Sequence, residues 1–285
     1  MSEIARVGVV GCGLMGAGIA EVCARAGQDV VVVESSDAAA KAGTARLEAS
    51  LRRAAERGKI DSAEPVLDRI RVVTDLAELA DRELVVEAIV EDEDAKTELF
   101  RRLDEIVTSP DAILASNTSS IPIMKLAVVT SRPAQVLGIH FFNPVPVLSL
   151  VELVPSLLTA GETTERARGY VQDTLGKRAI DCQDRAGFVV NALLIPFILS
   201  AIRMMESGFA TAEDIDEGLV RGAAHPQGPL ALADLIGLDT TKAVAESLYE
   251  EFKEPLYAPP PLLARMVSAG LLGRKTGRGF YTYPR

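Results

Sequence analysis

The chain has 285 residues, enough to bury one large core or two smaller ones, and its 48% hydrophobic and 25% charged residues are ordinary for a globular protein. A formal net charge of −10 at pH 7 argues against non-specific binding to nucleic acid or anionic membrane, while leaving room for a local basic pocket. The three cysteines, Cys12, Cys23 and Cys182, have neither metal-ligand nor disulfide-framework spacing, so no metal is expected and a reducing cytoplasm is the expected location.

The N-terminal stretch MSEIARVGVVGCG enters structure at once, without the basic and apolar segments of a secretory signal. VGVVG (7–11) reads as a strand, 14–26 as a helix and VVVVE (30–34) as a second strand. A charged amphipathic stretch covers 37–57. RVV (71–73) and LVVEAIV (84–90) read as strands, and 94–106 as a helix. AILAS (112–116), VLGIHF (136–141) and the apolar LSLVELV follow as strands. Strand–helix alternation with continuously apolar strands predicts a parallel sheet covered on both faces, the α/β Rossmann-type doubly wound architecture. The pattern changes at QDRAGFVVN (183–191). Helical periodicity then dominates over 189–207, 211–221, 229–235, 240–252 and 260–269, with no strand until the terminal FYTY. The apolar run 188–202 contains Asn191 and Pro196 and is too short for a membrane span. The expected organisation is a nucleotide domain over 1–184 followed by an all-α domain over 185–285.

VVGCGLMGAG contains G-x-G-x-x-G, with Gly11, Gly13 and Gly16 framing Leu14 and Met15. Alone this is a weak signal, and a structural turn that binds nothing is the alternative. Its context is the one a dinucleotide needs: a strand before it, a helix opening from it, and a second strand ending in an acid. Gly11 allows the tight turn, Gly13 admits a pyrophosphate to the backbone, and Gly16 lets the helix pack on the strand. The helix N-terminus offers its unpaired N–H groups to the phosphates. Glu34, 18 residues after Gly16, can accept both adenosine ribose hydroxyls and would repel a 2′-phosphate, so NAD is expected over NADP.

Moving a hydride between an alcohol and a nicotinamide also requires a proton acceptor near neutral pKa. Only two histidines are available. His225, in AAHPQGP, suits a turn. His140 ends a strand on the sheet edge where α/β proteins bind ligands. Glu152, inside an apolar strand, needs a partner because a lone buried carboxylate is costly. An imidazolium formed during turnover would be that partner. On spacing alone, a satisfied core histidine with a strand-edge charge stays equally open. SNTSS (116–120) adds hydroxyl and amide groups at another strand end.

SNTSS, GIHFFNPVPV with LVE, AGFVVN, GAAHPQGPLALADLIGLDT and LGRKTGRGFYTY occur in this order between residues 6 and 283, and together they resemble the 3-hydroxyacyl-CoA dehydrogenase family. The resemblance implies NAD-dependent interconversion of (S)-3-hydroxyacyl-CoA and 3-oxoacyl-CoA, with short acyl chains expected, in a cleft between the domains. It implies that His140 takes the 3-hydroxyl proton and that Glu152 orients it. Ser119 and Asn191 would hold the substrate, and Asn117 and Asn143 would lie near nicotinamide and substrate. Glu91 and Lys96 match cofactor-contacting positions. Ser50, Arg57 and Lys59 fall where the family meets CoA, although an ordinary solvated helix face is the competing reading there. The chain departs from the family pattern with Glu34 for Asp, Ser149 for Lys and Ala192 for Arg. Apolar helices after residue 185, above all NALLIPFILSAI (191–202), read as buried almost all round and imply a homodimer joined through this domain. The rival readings are a dehydrogenase of CoA-free 3-hydroxy acids and a catalytically silent NAD-binding protein.

Overall fold

A computed structural model of the chain describes residues 4–284. It divides after Asp184 into two compact units.

The first unit is built on one eight-stranded sheet of order β3-β2-β1-β4-β5-β6-β7-β8. The strands are β1 (Arg6–Val10), β2 (Asp29–Val33), β3 (Ile70–Val73), β4 (Leu84–Glu87), β5 (Ile113–Ser116), β6 (Val136–Phe141), β7 (Leu150–Pro155) and β8 (Arg178–Asp181). The first six are mutually parallel, and the order reverses at β1, between β2 and β4. A crevice for a ligand forms outside the carboxyl ends of the strands at such a reversal. Val7, Val9, Val30, Val32, Leu84, Val86 and Ile113 on one face and Val10, Val31, Val33, Val85 and Leu114 on the other are all buried, which explains why these strands are apolar without alternation.

Helices α1 (Leu14–Arg25), α2 (Asp37–Glu56), α3 (Glu64–Leu67), α4 (Glu93–Ile106), α5 (Ile123–Ala127) and α6 (Gly161–Gly169) belong to this unit. The Ser36 hydroxyl caps α2 by accepting from Ala39 N at 3.3 Å, and the Asp92 carboxylate caps α4 by accepting from Ala95 N at 2.8 Å. The strand expected over 84–90 stops at Glu87, because the Glu87 carboxylate accepts from Ile89 N at 2.7 Å and turns the chain out of the sheet. After β6 the sheet reverses: β7 pairs antiparallel with β6, and β8 runs parallel to β7.

The second unit is helical: α7 (Val190–Glu206), α8 (Ala212–Glu217), α9 (Pro229–Ile236), α10 (Leu238–Phe252) and α11 (Pro261–Ser268). Its core joins Ile195, Ile198, Leu199 and Ile202 of α7 to Leu230, Leu238, Leu248 and Leu263. Two buried aspartates organise it. Asp216 accepts from Leu230 N and Ala231 N, each at 2.8 Å, and so caps α9, which begins with proline and lacks a cap of its own. Asp234 accepts from Phe280 N and Tyr281 N and ties the chain end to α9. Consequently 280–283 forms no regular strand and takes part only in the isolated bridge between Arg278 and Thr282. Within the single chain the core covers one side of α7, and Leu193 on another side is 72% exposed.

Candidate active site

The glycine loop leaves β1 and enters α1 directly. Gly11 has φ +92°, and a Cβ there would lie 2.7 Å from Ala88 O, so no other residue fits. A Cβ on Gly16 would collide with the Gly11 carbonyl. Around Gly13 the space is open, with nothing within 4 Å of where a Cβ would stand. No side chain caps the N-terminus of α1 at Gly13; Leu14 is exposed and Met15 half-buried beside it. Helix-end N–H groups without a side-chain partner, next to open backbone, fit a pyrophosphate. Glu34 follows β2 and turns its carboxylate onto this loop, accepting from Cys12 N at 2.5 Å and Ser35 N at 3.1 Å. Each oxygen keeps a lone pair for a ribose hydroxyl. No arginine was evident near Glu34 in the sequence, yet Arg46 of α2 donates to Cys12 O at 2.6 Å. The residues present therefore fit a dinucleotide. Cys12 itself is buried in the loop, and burial pushes its thiol up to about 11, with the nearby Glu34 carboxylate adding to the shift.

On the same sheet edge, His140 and Glu152 are direct cross-strand partners in the β6–β7 register. The His140 Nδ1 lies 2.7 Å from Glu152 Oε2. Glu152 is 0% exposed, so its charge has no water to turn to. A carboxylate at Nδ1 fixes the tautomer with the proton on Nδ1, which leaves Nε2 with its lone pair as a base. The Phe142 ring stands edge-on to the imidazole, centroids 4.6 Å apart. The segment after Phe142 turns through Asn143, exposed and joined to Pro144 by a cis peptide, and packs onto α1: a Cβ on Gly18 would lie 2.8 Å from Val145. Lys177 pins the same turn by donating to Val145 O and Leu148 O. Burial, with Arg25 nearby, holds the Lys177 ammonium below its ordinary pKa.

The SNTSS segment follows β5. The Asn117 carboxamide oxygen accepts from Phe141 N at 2.9 Å and so ties the ends of β5 and β6 together. Glu91 accepts from Thr118 Oγ1, from Ser119 N at 3.1 Å and from Ser120 Oγ at 2.8 Å. The Ser119 hydroxyl itself makes no hydrogen bond among the described residues. Burial works against the Glu91 charge, but the Lys96 ammonium and the loop hydroxyls outweigh it and hold the carboxyl below its ordinary value.

Lys96 is 1% exposed, with its ammonium held 2.9 Å from Glu87 and 2.8 Å from Glu91, so its charge is neutralised inside the protein. The Ser50 hydroxyl, expected near CoA, donates to the buried carboxylate of Glu21 at 2.6 Å. Arg57 and Lys59, just past α2, are exposed, as a solvated helix end would be. Asn191 lies half-buried in the first turn of α7, in the second unit. Glu87 was not singled out from the sequence, although a carboxylate inside the apolar run LVVEAIV is the same signal that Glu152 gives in LSLVELV.

Comparison with known proteins gives matches in both units. Residues 6–185 match the family model described as 3-hydroxyacyl-CoA dehydrogenase, NAD binding domain, and residues 187–283 match 3-hydroxyacyl-CoA dehydrogenase, C-terminal domain. The chain is 58% identical over 282 residues to a 3-hydroxybutyryl-CoA dehydrogenase of Mycobacterium tuberculosis, covering 98% of this chain and 99% of that protein. It is 41% identical to the human mitochondrial hydroxyacyl-coenzyme A dehydrogenase, over 98% of this chain and 91% of the relative. Among solved structures, (S)-3-hydroxybutyryl-CoA dehydrogenase PaaH1 from Ralstonia eutropha superposes with a TM-score of 0.92 at 47% identity, covering 99% of this chain and 100% of the other.

Proposed function

The chain belongs to the 3-hydroxyacyl-CoA dehydrogenase family, and from that membership we propose that it interconverts (S)-3-hydroxybutyryl-CoA and acetoacetyl-CoA using NAD. The observation that carries this reading is the buried His140–Glu152 pair at the carboxyl edge of the sheet. His140 takes the 3-hydroxyl proton on Nε2 as C3 becomes a carbonyl carbon, and returns it in the reverse direction. When bound, NAD supplies the acceptor for the C3 hydride. Glu152 keeps the ring in the productive tautomer and stabilises the imidazolium that proton transfer creates. Ser119 donates to the substrate oxygen, where negative charge develops. Asn191 is a second substrate contact in this scheme, and Ser50, Arg57 and Lys59 remain the proposed CoA contacts. Since the Ser50 hydroxyl is engaged by Glu21, the exposed Arg57 and Lys59 are better suited to phosphate.

Oxidation of NADH is followed with acetoacetyl-CoA and with free acetoacetate. Turnover of the thioester with none of the free acid is expected. The opposite preference, or activity with neither, rejects the reading.

A homodimer joined through the second unit is part of the same proposal. Leu193, Met204, Phe209 and Leu235 are exposed there, with Phe209 at 79%, and such apolar surface on one small helical unit favours a covering partner. A species of twice the 30.4 kDa chain mass is expected in sedimentation at micromolar concentration. A single-chain species, or an interface on the glycine-loop unit, rejects it. No helix among the described residues is long and apolar enough to cross a membrane. Cys12, Cys23 and Cys182 are buried thiols rather than disulfides, which supports a reducing, cytoplasmic location.

A further inference from the structure

Glu87 ends β4 with 0% of its side chain exposed, beside a lysine that is equally buried. A buried carboxylate is tolerated only when its charge and lone pairs are met. Here the charge is paired and both oxygens accept. Oε1 accepts from Ile89 N at 2.7 Å and from Lys96 Nζ at 2.9 Å, and Oε2 accepts from Ser116 Oγ at 2.6 Å.

Each of the two side-chain partners leads onward to the same place. Ser116 gives its single proton to Glu87, which turns its lone pairs to Thr118 N at 3.1 Å. Lys96 passes to Glu91 at 2.8 Å, and Glu91 accepts from Thr118 Oγ1, Ser119 N and Ser120 Oγ. The Thr118 hydroxyl, its proton committed to Glu91, then accepts from Ser120 N and Ile121 N. Two hydrogen-bonded routes from one carboxylate thus converge on residues 118–121. At Glu87 itself every partner donates: Ile89 N–H, the Lys96 ammonium and the Ser116 hydroxyl.

We propose that Glu87 is a positioning residue: through Ser116 and Lys96 it fixes the 118–120 segment and so aims the Ser119 hydroxyl at the substrate oxygen. The proposal rests on the role given to Ser119 in the proposed reaction. A glutamine at position 87 is nearly isosteric but breaks the polarity. Its amide group either donates to Ser116, whose proton must then find another acceptor, or faces the Lys96 ammonium donor to donor. In either orientation Lys96 loses one of its two carboxylates.

Glu87→Gln is compared with wild type in two backgrounds, Ser119 and Ser119→Ala, by kcat/KM for acetoacetyl-CoA. Amide hydrogen exchange is measured on the peptide spanning 112–123. If Glu87 acts through Ser119, the substitution costs on the order of 10-fold in the Ser119 background and less than about 3-fold once the hydroxyl is gone, since effects transmitted through a shared group are not additive. Exchange accelerates at 118–121 while β1 and β2 stay protected. An equal loss in both backgrounds, or accelerated exchange throughout the sheet, marks Glu87 as a strut for the fold alone and overturns the proposal. Should Glu87→Gln not fold, Ser116→Ala cuts one route while keeping the Glu87–Lys96 pair, and the same background dependence is required of it. A wild-type protein inactive on acetoacetyl-CoA rejects the proposed reaction, whereas the exchange measurement still decides whether Glu87 holds the segment.

Discussion

Replacing Glu152 by glutamine isolates the electrostatic half of the proton-transfer pair, because the side chain keeps its size and loses only its charge. At 2.7 Å and an effective dielectric constant near 20, the attraction between this carboxylate and an imidazolium is about 6 kcal/mol. Glutamine keeps a weaker, neutral hydrogen bond, so the expected loss in the transition state is about 3–5 kcal/mol, or roughly 10²–10⁴ in kcat at 1.36 kcal/mol per decade. A second effect has the same sign. If the amide nitrogen of the introduced glutamine faces Nδ1, it donates, the imidazole proton moves to Nε2, and the base is blocked. Because Glu152 is wholly buried, bulk water has little opportunity to replace the missing charge. The assay is steady-state kcat for acetoacetyl-CoA reduction, with the NADH dissociation constant measured separately by fluorescence titration. Glu152→Gln should bind NADH as wild type does, and His140→Gln should match its loss in kcat. A Glu152→Gln enzyme within about threefold of wild-type turnover would refute the argument that the carboxylate stabilises the proton-transfer state.

The Glu34 carboxylate should make NADH a better substrate than NADPH in kcat/KM, and Glu34→Ser alone should narrow that gap, since Arg46 already stands at the loop; an NADPH preference in the wild type contradicts this. Burial opposes the Glu91 and Asp104 charges, yet Lys96 and the loop hydroxyls, and Ser131 with Arg132, hold the two carboxyls below their ordinary values of 4.5 and 3.8. Their contribution to stability is therefore complete above those values and lost as pH falls through the depressed ones, which a series of melting temperatures between pH 7 and 3 measures. Asp104→Asn should cost about 1–3 kcal/mol at pH 7, with the difference from wild type closing in acid; a constant difference rejects the link to Arg132 and Ser131. Cys12 and Cys23, both buried and pushed up to about 11, should react with a thiol reagent at pH 8 only after denaturation, and prompt reaction of the native protein contradicts their burial.

What the chain determined by itself was local. The valine runs of β1 and β2, the glycine spacing and the acid after β2 each state their structure within a few residues, because turn sterics and burial on both sheet faces act at short range. His140 and Glu152 were legible as residues in unexpected company, and the family resemblance supplied their roles. Their pairing was decided by the reversal of the sheet after β6, which sets residue 140 opposite residue 152. Tertiary structure alone assigned the partners of the other charges. Lys96 is locked between Glu87 and Glu91, and Ser50 is engaged by Glu21 on a neighbouring helix. Arg46 reaches the glycine loop from a helix that the sequence read only as a charged face. In α7, apolar composition could not tell which side meets the chain's own core and which side, with Leu193, stays outside it. The physical reason is common to all of these: periodicity and turn chemistry fix an element and its faces, whereas the partner of a buried charge or an apolar face is supplied by chain far away in sequence, and only the packed fold brings it there.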